Sequence, residues 1–308
     1  MFKIKPKFWD KKYLTFLSVI FYPISIILIL IFKLKSLKKG EKFSIPVICI
    51  GNIYVGGTGK TPLAMKLYDI IASFNKRPAF VKKYYNYLDD EISLLKQKGK
   101  VYFFNSRIKC IKELIKDHYQ VAILDDGFQD FSVQKDISII TMNSKQLFGN
   151  KMVIPAGPLR ETISGIKRAD CVMINGKKEL SIENNLKSHN PSLKIFYFKY
   201  ELLNYERFKN KKIIAFAGIG NPNNFFDILK EYNLKGIKFL SFPDHHKFSK
   251  NEIQEILNLS KTNNALLLTT EKDHLRLNDD LKSKIYFLKI NLKIENENNF
   301  LNFIKEKI

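Results

Sequence analysis

The sequence predicts an α/β fold of two domains, in which a largely parallel sheet is covered by helices on both faces. Three observations predict it. Short apolar runs alternate with helical patterns along most of the chain, as in parallel sheets with helical crossovers. The glycine-rich run VGGTGKTPLA at residues 55–64 joins an apolar run to a helical pattern. An uncharged segment at residues 13–32 precedes them and predicts an additional N-terminal helix.

This N-terminal segment has the length needed to cross a bilayer core of about 30 Å. Trp9, Tyr13 and Tyr22 suit the headgroup level. Three interpretations stay open: a spanning helix, a helix in the membrane interface, and a buried core helix. Basic clusters on both sides disfavour a simple span, so we expect residues 1–40 to form an anchored or interfacial helix on anionic headgroups. The flanking lysines are Lys3, Lys5, Lys7, Lys11, Lys12, Lys33, Lys35, Lys38 and Lys39.

The next element is a predicted strand over residues 46–50, followed by a phosphate-binding loop. Glycines let backbone N–H groups converge on an anion. Lys60 is expected to reach the outer phosphates of a nucleotide, and the Thr61 hydroxyl to take Mg²⁺. The apolar residues after Pro62 recur at helical spacing. The predicted nucleotide-binding residues are Val55, Gly56, Gly57, Thr58, Gly59, Lys60 and Thr61.

The loop departs from the usual spacing at one position. Tyr54 stands where a glycine is expected, and Gly56 and Gly57 lie inside the loop instead. A GKT sequence alone is also typical of an ordinary glycine turn that caps a helix. The strand before it and the helix after it favour the phosphate-binding loop.

A pair of carboxylates follows the apolar run at residues 121–124. In phosphate-loop proteins a carboxylate at such a strand end holds Mg²⁺, directly or through water. Asp125 and Asp126 are therefore the predicted metal-site pair, with an ordinary acidic turn as the alternative.

Other polar clusters are weaker signals. Residues 155–161 form a proline-rich loop that delivers Arg160 and Glu161, and arginine binds phosphate bidentately. The acids at residues 89–91 open a helical pattern, where acidic residues are ordinary. Residues 242–248 contain two adjacent histidines and an aspartate, which suits either a metal or proton transfer.

A second α/β unit begins near Lys211. It is bracketed by residues 193–200 and 284–294, whose period-two patterns predict two strands that pair antiparallel as a hinge. The predicted division is residues 41–192 for the phosphate-loop domain, with residues 295–308 packing back on it, and residues 193–294 for the smaller domain.

Composition limits the partners. The 308 residues carry 52 Lys and Arg against 30 Asp and Glu, a net charge of +22, which attracts polyanions. No nucleic-acid motif accompanies this charge, so we expect no nucleic-acid partner. The three cysteines have no metal-ligand spacing and are expected to be reduced in a cytosolic compartment.

Seven motifs in order resemble the tetraacyldisaccharide 4′-kinase family of lipid A biosynthesis. The resemblance implies two α/β domains joined by a two-stranded linker. It also implies transfer of the ATP γ-phosphoryl group to the 4′-hydroxyl of tetraacyldisaccharide 1-phosphate, with ATP and Mg²⁺, on the cytoplasmic face of the bacterial inner membrane and without an obligate protein partner. The motifs are GNIYVGGTGKTP, DDE, DDGFQ, IPAGPLRE, GIGNP, FPDHHKF and TTEKD.

The resemblance also implies roles for individual residues. Asp90 becomes the base for the sugar hydroxyl, with His245 on the other predicted domain as its partner across the cleft, and Glu91 near the metal. Lys60 and Thr61 become phosphate and Mg²⁺ contacts, and Asp125 and Asp126 the acidic metal-site pair. The residues predicted near the lipid substrate are Arg160, Glu161 and Gln129.

The chain departs from the family pattern at two places. Lys82-Lys83-Tyr84-Tyr85 replaces an Arg-Gly-Tyr motif, and Asp130 stands where a histidine is expected. A lysine cannot reproduce the bidentate fork of an arginine. A membrane-associated phosphate-loop ATPase or GTPase is the alternative function, since it shares Lys60, Thr61 and Asp125 but does not need Asp90, His245 or Arg160. A third class, a non-enzymatic basic membrane-binding protein, would not need Lys60.

Overall fold

The computed structural model describes residues 6–11, 13–85 and 89–308, and these form two compact units. The larger unit contains residues 6–11, 13–85, 95–199 and Leu292–Ile308. The smaller unit contains residues 89–94 and Tyr200–Asn291. Residues 89–94 thus group with the smaller unit, although the sequence predicts them within the phosphate-loop domain. Lys3, Lys5, Lys12 and the side chain of Asp89 lie outside the described part of the chain.

The strands and helices alternate along most of the chain, as the sequence predicts. The strands are β1 (Val47–Gly51), β2 (Pro78–Lys83), β3 (Val101–Phe104), β4 (Val121–Asp125), β5 (Ile137–Asn143), β6 (Cys171–Asn175), β7 (Lys194–Leu202), β8 (Ile213–Ala217), β9 (Gly236–Ser241), β10 (Leu266–Thr270), β11 (Tyr286–Leu288) and β12 (Ile290–Ile294). The α-helices are α1 (Phe16–Ser36), α2 (Lys60–Ser73), α3 (Asp89–Lys98), α4 (Arg107–Lys116), α5 (Leu180–His189), α6 (Pro222–Glu231), α7 (Lys250–Asn263), α8 (Glu271–Leu275), α9 (Asp279–Lys282) and α10 (Glu297–Lys305).

An eight-stranded sheet has the order β12-β7-β6-β5-β1-β4-β2-β3. All of these strands except β12 run parallel to their neighbours, from β7 at one end to β3 at the other. Every residue of β1, β4 and β5 is buried, as expected for a sheet covered on both faces. Because all carboxyl ends of parallel strands meet at one edge, β1 and β4 deliver the phosphate loop and Asp125 side by side.

The smaller unit has its own parallel sheet, in the order β11-β10-β8-β9. Its central strand β8 is fully buried. The turn at residues 218–221 follows β8 and leads into α6, which confirms the prediction of a turn before a helix.

The prediction of one strand over residues 284–294 is wrong. The run contains β11, which pairs with β10, and β12, which lies beside β7. Leu203 N–H donates to Lys289 O, and Glu295 N–H donates to Tyr197 O; this reversed order makes the β7–β12 pair antiparallel, as predicted. Alternation of apolar and polar residues predicts a strand but not the strand beside it. The pattern continues through Lys289, so it does not predict that the two halves of the run pair with different strands.

Helix α1 carries a narrow polar stripe on an otherwise apolar surface. Ser18 and Ser25 are fully buried, whereas most of the apolar side chains of α1 are exposed. Among the described residues it is the single helix long and apolar enough to cross a membrane, and 11% of its most apolar stretch is buried. This exposure excludes the buried-core alternative.

Candidate active site

The predicted phosphate loop connects β1 to α2 at the carboxyl edge of the sheet. Gly56 and Gly59 have φ angles of 121° and 92°, a region that side chains disfavour and glycine enters freely. Lys60 and Thr61 are the first two residues of α2. The N–H groups of a helix start are unpaired and attract anions, so this turn is suited to phosphate.

Asn52 holds the loop in shape from inside. Its Nδ2 donates to Gly56 O at 3.3 Å and to Thr58 Oγ1 at 2.9 Å. Thr58 Oγ1 lies 2.8 Å from Thr141 Oγ1 on β5, and Thr141 in turn donates to Gly51 O. All of these side chains are buried. The loop is therefore fixed to two neighbouring strands before any ligand binds.

Asp125 lies at the end of β4 beside the start of α2. Thr61 Oγ1 donates to its Oδ2 at 3.1 Å, and Lys82 Nζ lies 2.6 Å from the same oxygen. The other oxygen, Asp125 Oδ1, is buried and has no hydrogen-bond partner among the described residues. Thr61 and Asp125, which the sequence predicts at one Mg²⁺ site, thus lie in contact with each other. Their role as metal ligands stays a prediction.

Asp126 faces two basic side chains. Arg160 Nη1 lies 2.7 Å and Lys60 Nζ 3.8 Å from its Oδ1. Burial raises the pKa of Asp126, but the charges of Arg160, Lys60 and Lys82 outweigh burial and hold this pKa below its ordinary range. Its φ of 61° lies in the left-handed region, which is uncommon outside glycine and recurs at functional sites.

The predicted substrate residues meet next to this pair. Gln129 Nε2 donates to Glu161 Oε1 at 3.0 Å, and Arg160 Nη1 donates to Gln129 Oε1 at 3.4 Å. Glu161 is only 2% exposed, and Arg168 Nη2 pairs with its second oxygen at 2.6 Å. Glu161 is therefore an internal acceptor that fixes Gln129 and Arg168. The Arg168 guanidinium also lies 4.8 to 6.0 Å from the ring centres of Phe128, Phe131 and Phe32.

An open cavity of about 270 Å³ adjoins these residues within the larger unit. One wall is the second half of α1, with Ile29, Phe32 and Lys33. The opposite wall includes Arg160 and Arg168. Apolar and cationic groups thus line one cavity, a combination that suits an amphiphilic anion.

The smaller unit holds a separate cluster around Asp90. This carboxylate is 7% exposed, and its Oδ1 lies 3.3 Å from His245 Nδ1. Its Oδ2 accepts from Arg276 Nε at 2.9 Å and also pairs with Arg276 Nη2, while Lys272 Nζ lies 3.6 Å away. Lys272 Nζ also pairs with Glu91 at 2.9 Å. The structure therefore brings Asp90, Glu91 and His245 together within the smaller unit, whereas the sequence predicts Asp90 and His245 on different domains. Their catalytic and metal roles stay predictions.

Charge pairing sets the protonation of this cluster. Burial raises the pKa of Asp90, but contact with His245 and the charges of Lys272 and Arg276 outweigh burial and keep this pKa below its ordinary range. Burial lowers the pKa of Lys272, but Glu91, Asp244 and Asp90 raise it above its ordinary value. Asp90 is thus a carboxylate and Lys272 an ammonium at neutral pH.

The ion pairs made by four basic residues of these sites were not predicted from the sequence. Lys82 pairs with Asp125, and Lys272 and Arg276 pair with Asp90. Arg107 pairs with Asp130 at 2.7 Å and donates to Asp126 O at 2.7 Å. Each partner is distant in sequence, so spacing carries no signal for the pairs. The TTEKD motif drew attention to Lys272, and the departure from the family pattern at residues 82–85 drew attention to Lys82.

No group of three or more histidine, cysteine, aspartate or glutamate side chains in the described part of the chain is arranged to hold a metal ion. Mg²⁺ bound with a nucleotide does not require such a group, because waters and phosphates supply most of its ligands.

Comparison with known proteins agrees with the motifs. The family model described as "Tetraacyldisaccharide-1-P 4'-kinase" matches residues 11–88 and 85–308. A tetraacyldisaccharide 4′-kinase of Pelagibacter ubique is 42% identical over 301 residues, covering 97% of this chain and 96% of its own length. One from Rickettsia bellii is 34% identical, with 95% of each chain covered.

A solved structure shares the fold along most of the chain. It is the "apo" form of LpxK from Aquifex aeolicus in complex with ATP, with a TM-score of 0.70 and 26% identity. The match covers 94% of this chain and 99% of the other. This chain belongs to the tetraacyldisaccharide-1-P 4′-kinase family.

Proposed function

We propose that this chain transfers the γ-phosphoryl group of ATP to the 4′-hydroxyl of tetraacyldisaccharide 1-phosphate, a step of lipid A biosynthesis. The observation that carries the proposal is the placement of Lys60 and Thr61 at the start of α2, directly beside Asp125 and Asp126. Phosphoryl transfer depends mainly on positioning and charge neutralisation. Lys60 and the N–H groups of residues 55–61 bind the phosphates, as in other phosphate loops.

The donor set beside the loop fits Mg²⁺. Thr61 offers a hydroxyl oxygen, and Asp125 Oδ1 is a buried acceptor without a partner among the described residues. Hard oxygen ligands of this kind are those that Mg²⁺ prefers. Thr61 and Asp125 would hold the ion with Asp126 adjacent, and the ion would neutralise charge on the transferred phosphate.

Asp90 orients the acceptor hydroxyl and takes its proton, with His245 as its partner. A carboxylate whose pKa is held low is a weak base. In a loose phosphoryl-transfer transition state the hydroxyl loses its proton late, so orientation contributes more than early proton removal. Arg276 and Lys272 hold Asp90 ionised and correctly directed.

Arg160 and Gln129 bind the polar part of the lipid substrate, and Glu161 fixes Gln129 in place. The cavity between α1 and Arg160 suits an amphiphilic anion, because apolar and basic groups line it together. The exposed apolar surface of α1 rests in the membrane with its flanking lysines on anionic headgroups. We place the enzyme on the cytoplasmic face of the bacterial inner membrane, where ATP is available.

The test is a phosphate-transfer assay in detergent with γ-labelled ATP, Mg²⁺ and tetraacyldisaccharide 1-phosphate. We compare the wild type with Lys60→Ala and with Lys66→Ala, a control on the same helix whose side chain pairs with Glu297 at 2.7 Å. Lipid label that Lys60→Ala abolishes and Lys66→Ala retains is the expected result. Phosphate release without lipid label would instead assign the chain to the membrane-associated ATPases.

A further inference from the structure

Tyr54, which replaces the usual glycine of the phosphate loop, contacts the segment before helix α1. Its side chain is 4% exposed, and its hydroxyl donates to Asp10 Oδ1 at 2.6 Å. Asp10 ends a 3-10 turn, Lys7–Asp10, that leads into the apolar helix. Burial and the neighbouring Asp10 raise the pKa of Tyr54, so the phenol keeps its proton and remains a donor.

The same turn is fixed at a second point. Trp9 is 4% exposed, its Nε1 donates to Pro155 O at 3.0 Å, and its carbonyl accepts from Asn150 N–H at 2.9 Å. The loop that contains Pro155 pairs with the phosphate loop, because Val55 N–H donates to Pro158 O at 2.8 Å. The turn therefore contacts the phosphate loop directly through Tyr54 and indirectly through this second loop.

We propose that Tyr54 is a positioning residue, whose hydrogen bond to Asp10 makes the ATP affinity of the phosphate loop depend on the membrane-facing N-terminal segment. The inference rests on the ATP binding proposed above.

The physical reason is the cost of ordering a glycine-rich loop. Gly56 and Gly57 directly follow Tyr54 and Val55, and glycine loses more conformational freedom than any other residue when it is ordered. The hydrogen bond to Asp10 restrains Tyr54 in the free protein, so less conformational entropy is lost from the loop when ATP binds. A hydrogen bond to a carboxylate is stronger than a neutral one, so Asp10 provides a firm attachment point for Tyr54.

The test measures ATP binding to the full chain in detergent micelles by equilibrium dialysis, together with KM for ATP and for the lipid. Tyr54→Phe removes only the hydroxyl, and Asp10→Ala removes the acceptor. Tyr102→Phe is the matched control, because the Tyr102 hydroxyl also donates to a carboxylate, that of Asp117. Tyr102 lies on the edge strand β3, three positions along the sheet from β1. The double variant Tyr54→Phe with Asp10→Ala tests whether the two groups act together.

We expect Tyr54→Phe and Asp10→Ala each to weaken ATP binding by about three- to tenfold, because part of a charge-assisted hydrogen bond is lost. The double variant should bind no more weakly than the weaker single variant. KM for ATP should rise while KM for the lipid stays constant, and Tyr102→Phe should match the wild type in both.

Unchanged ATP affinity in Tyr54→Phe and Asp10→Ala would overturn the inference, and so would equal changes in the two KM values. If Tyr54→Phe lowers Tm more than Tyr102→Phe does, its weaker ATP binding could reflect lost stability. The ATP affinity of Asp10→Ala then decides whether the inference holds, because the Asp10 side chain is exposed and its removal leaves no cavity. A wild type that binds no ATP would overturn the proposed function as well, whereas unchanged variants of an ATP-binding wild type overturn this inference alone.

Discussion

Lys82 is a buried cation beside the candidate magnesium site. Its side chain is 2% exposed, and its partner Asp125 is fully buried. Taking both charges out of water is costly, and removing one partner leaves the other uncompensated. The pair therefore constrains this corner of the sheet more than it stabilises the fold.

We predict that Lys82→Met lowers the free energy of unfolding by about 3–5 kcal/mol, since Asp125 is left as a buried charge with a lost partner. Urea unfolding followed by circular dichroism measures the change. Lys116→Met removes a pair with Glu113 in which Lys116 is 69% exposed, and this control should leave the free energy of unfolding almost unchanged because exposed ion pairs contribute little. Equal effects of the two substitutions would contradict the prediction.

Asp90 gives a prediction with a pH dependence. Asp90→Asn should lower kcat by about 10²- to 10⁴-fold, the range for loss of an acid–base group. The pKa of Asp90 in the folded chain lies below its ordinary value of 3.8. Its ionised form therefore stabilises the fold at pH values above 3.8, and this contribution is lost as pH falls toward the lowered pKa.

The measurement is urea unfolding of the wild type and Asp90→Asn across a pH series, alongside the kinase assay. The stability difference between them should be constant near neutral pH and shrink below about pH 4. Asp279→Asn is the control, because the Asp279 side chain is 96% exposed. A stability difference that grows on acidification would have the wrong sign.

At the scale of elements, helix α1 is attached to the larger unit by serine hydroxyls. Ser25 Oγ donates to Val153 O at 2.8 Å and accepts from Ala156 N–H at 3.1 Å, and Asn150 Nδ2 donates to Ser18 Oγ at 3.1 Å. Ser25 thus binds two backbone groups of the loop at residues 153–156, and Val153 O accepts a second bond from Gly157 N–H. Ser18 and Ser25 therefore determine which face of the apolar helix α1 packs against the larger unit.

We predict that Ser25→Ala lowers the free energy of unfolding by about 1–3 kcal/mol, because the buried Ala156 N–H loses its bond to Ser25 Oγ. Limited proteolysis before the first strand should accelerate in parallel. Ser36→Ala removes only an exposed bond within the same helix, to Lys33 O, and should leave both measurements unchanged. Equal proteolysis rates in the two variants would show that Ser25 does not attach α1.

Local sequence patterns predict most of the strands and helices of this chain, but they do not always predict which elements lie side by side. The strand at residues 46–50, the loop and helix α2 follow from apolar runs and glycines that are contiguous in sequence. The break of residues 284–294 into β11 and β12 depends on which strands they meet, β10 and β7. Residues 89–94 group with the smaller unit, where Asp90 pairs with Lys272 and Arg276, which lie far along the chain.

The same limit applies to the site. The acids were predicted, because carboxylates at strand ends and in motifs are recognisable from sequence. Their basic partners were not, since Arg276 is 186 residues from Asp90 and Lys82 is 43 residues from Asp125. A lysine-rich chain offers many candidates for each partner, and only the fold selects one.

At the scale of the whole molecule, the net charge of +22 is the property most open to measurement. Electrostatic attraction to anionic lipid is screened over about 10 Å at 0.1 M salt and about 3 Å at 1 M. The apolar surface of α1 contributes a different term, which salt does not weaken. Salt therefore separates the contribution of the lysines from that of the helix.

We predict that binding to anionic vesicles falls at least about tenfold between 0.1 M and 1 M salt, while binding to zwitterionic vesicles changes little. Vesicle co-sedimentation measures both. Changing the exposed lysines Lys33, Lys35, Lys38 and Lys39 to glutamine should remove most of the salt-dependent part. The control changes four exposed lysines of the smaller unit, namely Lys211, Lys212, Lys235 and Lys238.

Both variants lose the same charge, so a general electrostatic attraction would weaken them equally. A larger loss from the α1 flank would place the attraction at the helix, beside the cavity lined by Phe32, Lys33 and Arg160. Equal losses would contradict a basic flank that rests on headgroups, and would assign the charge to the surface of the whole chain. Salt does not weaken the apolar contribution of α1 to membrane binding. Binding to zwitterionic vesicles therefore measures that contribution alone, in the wild type and in both variants.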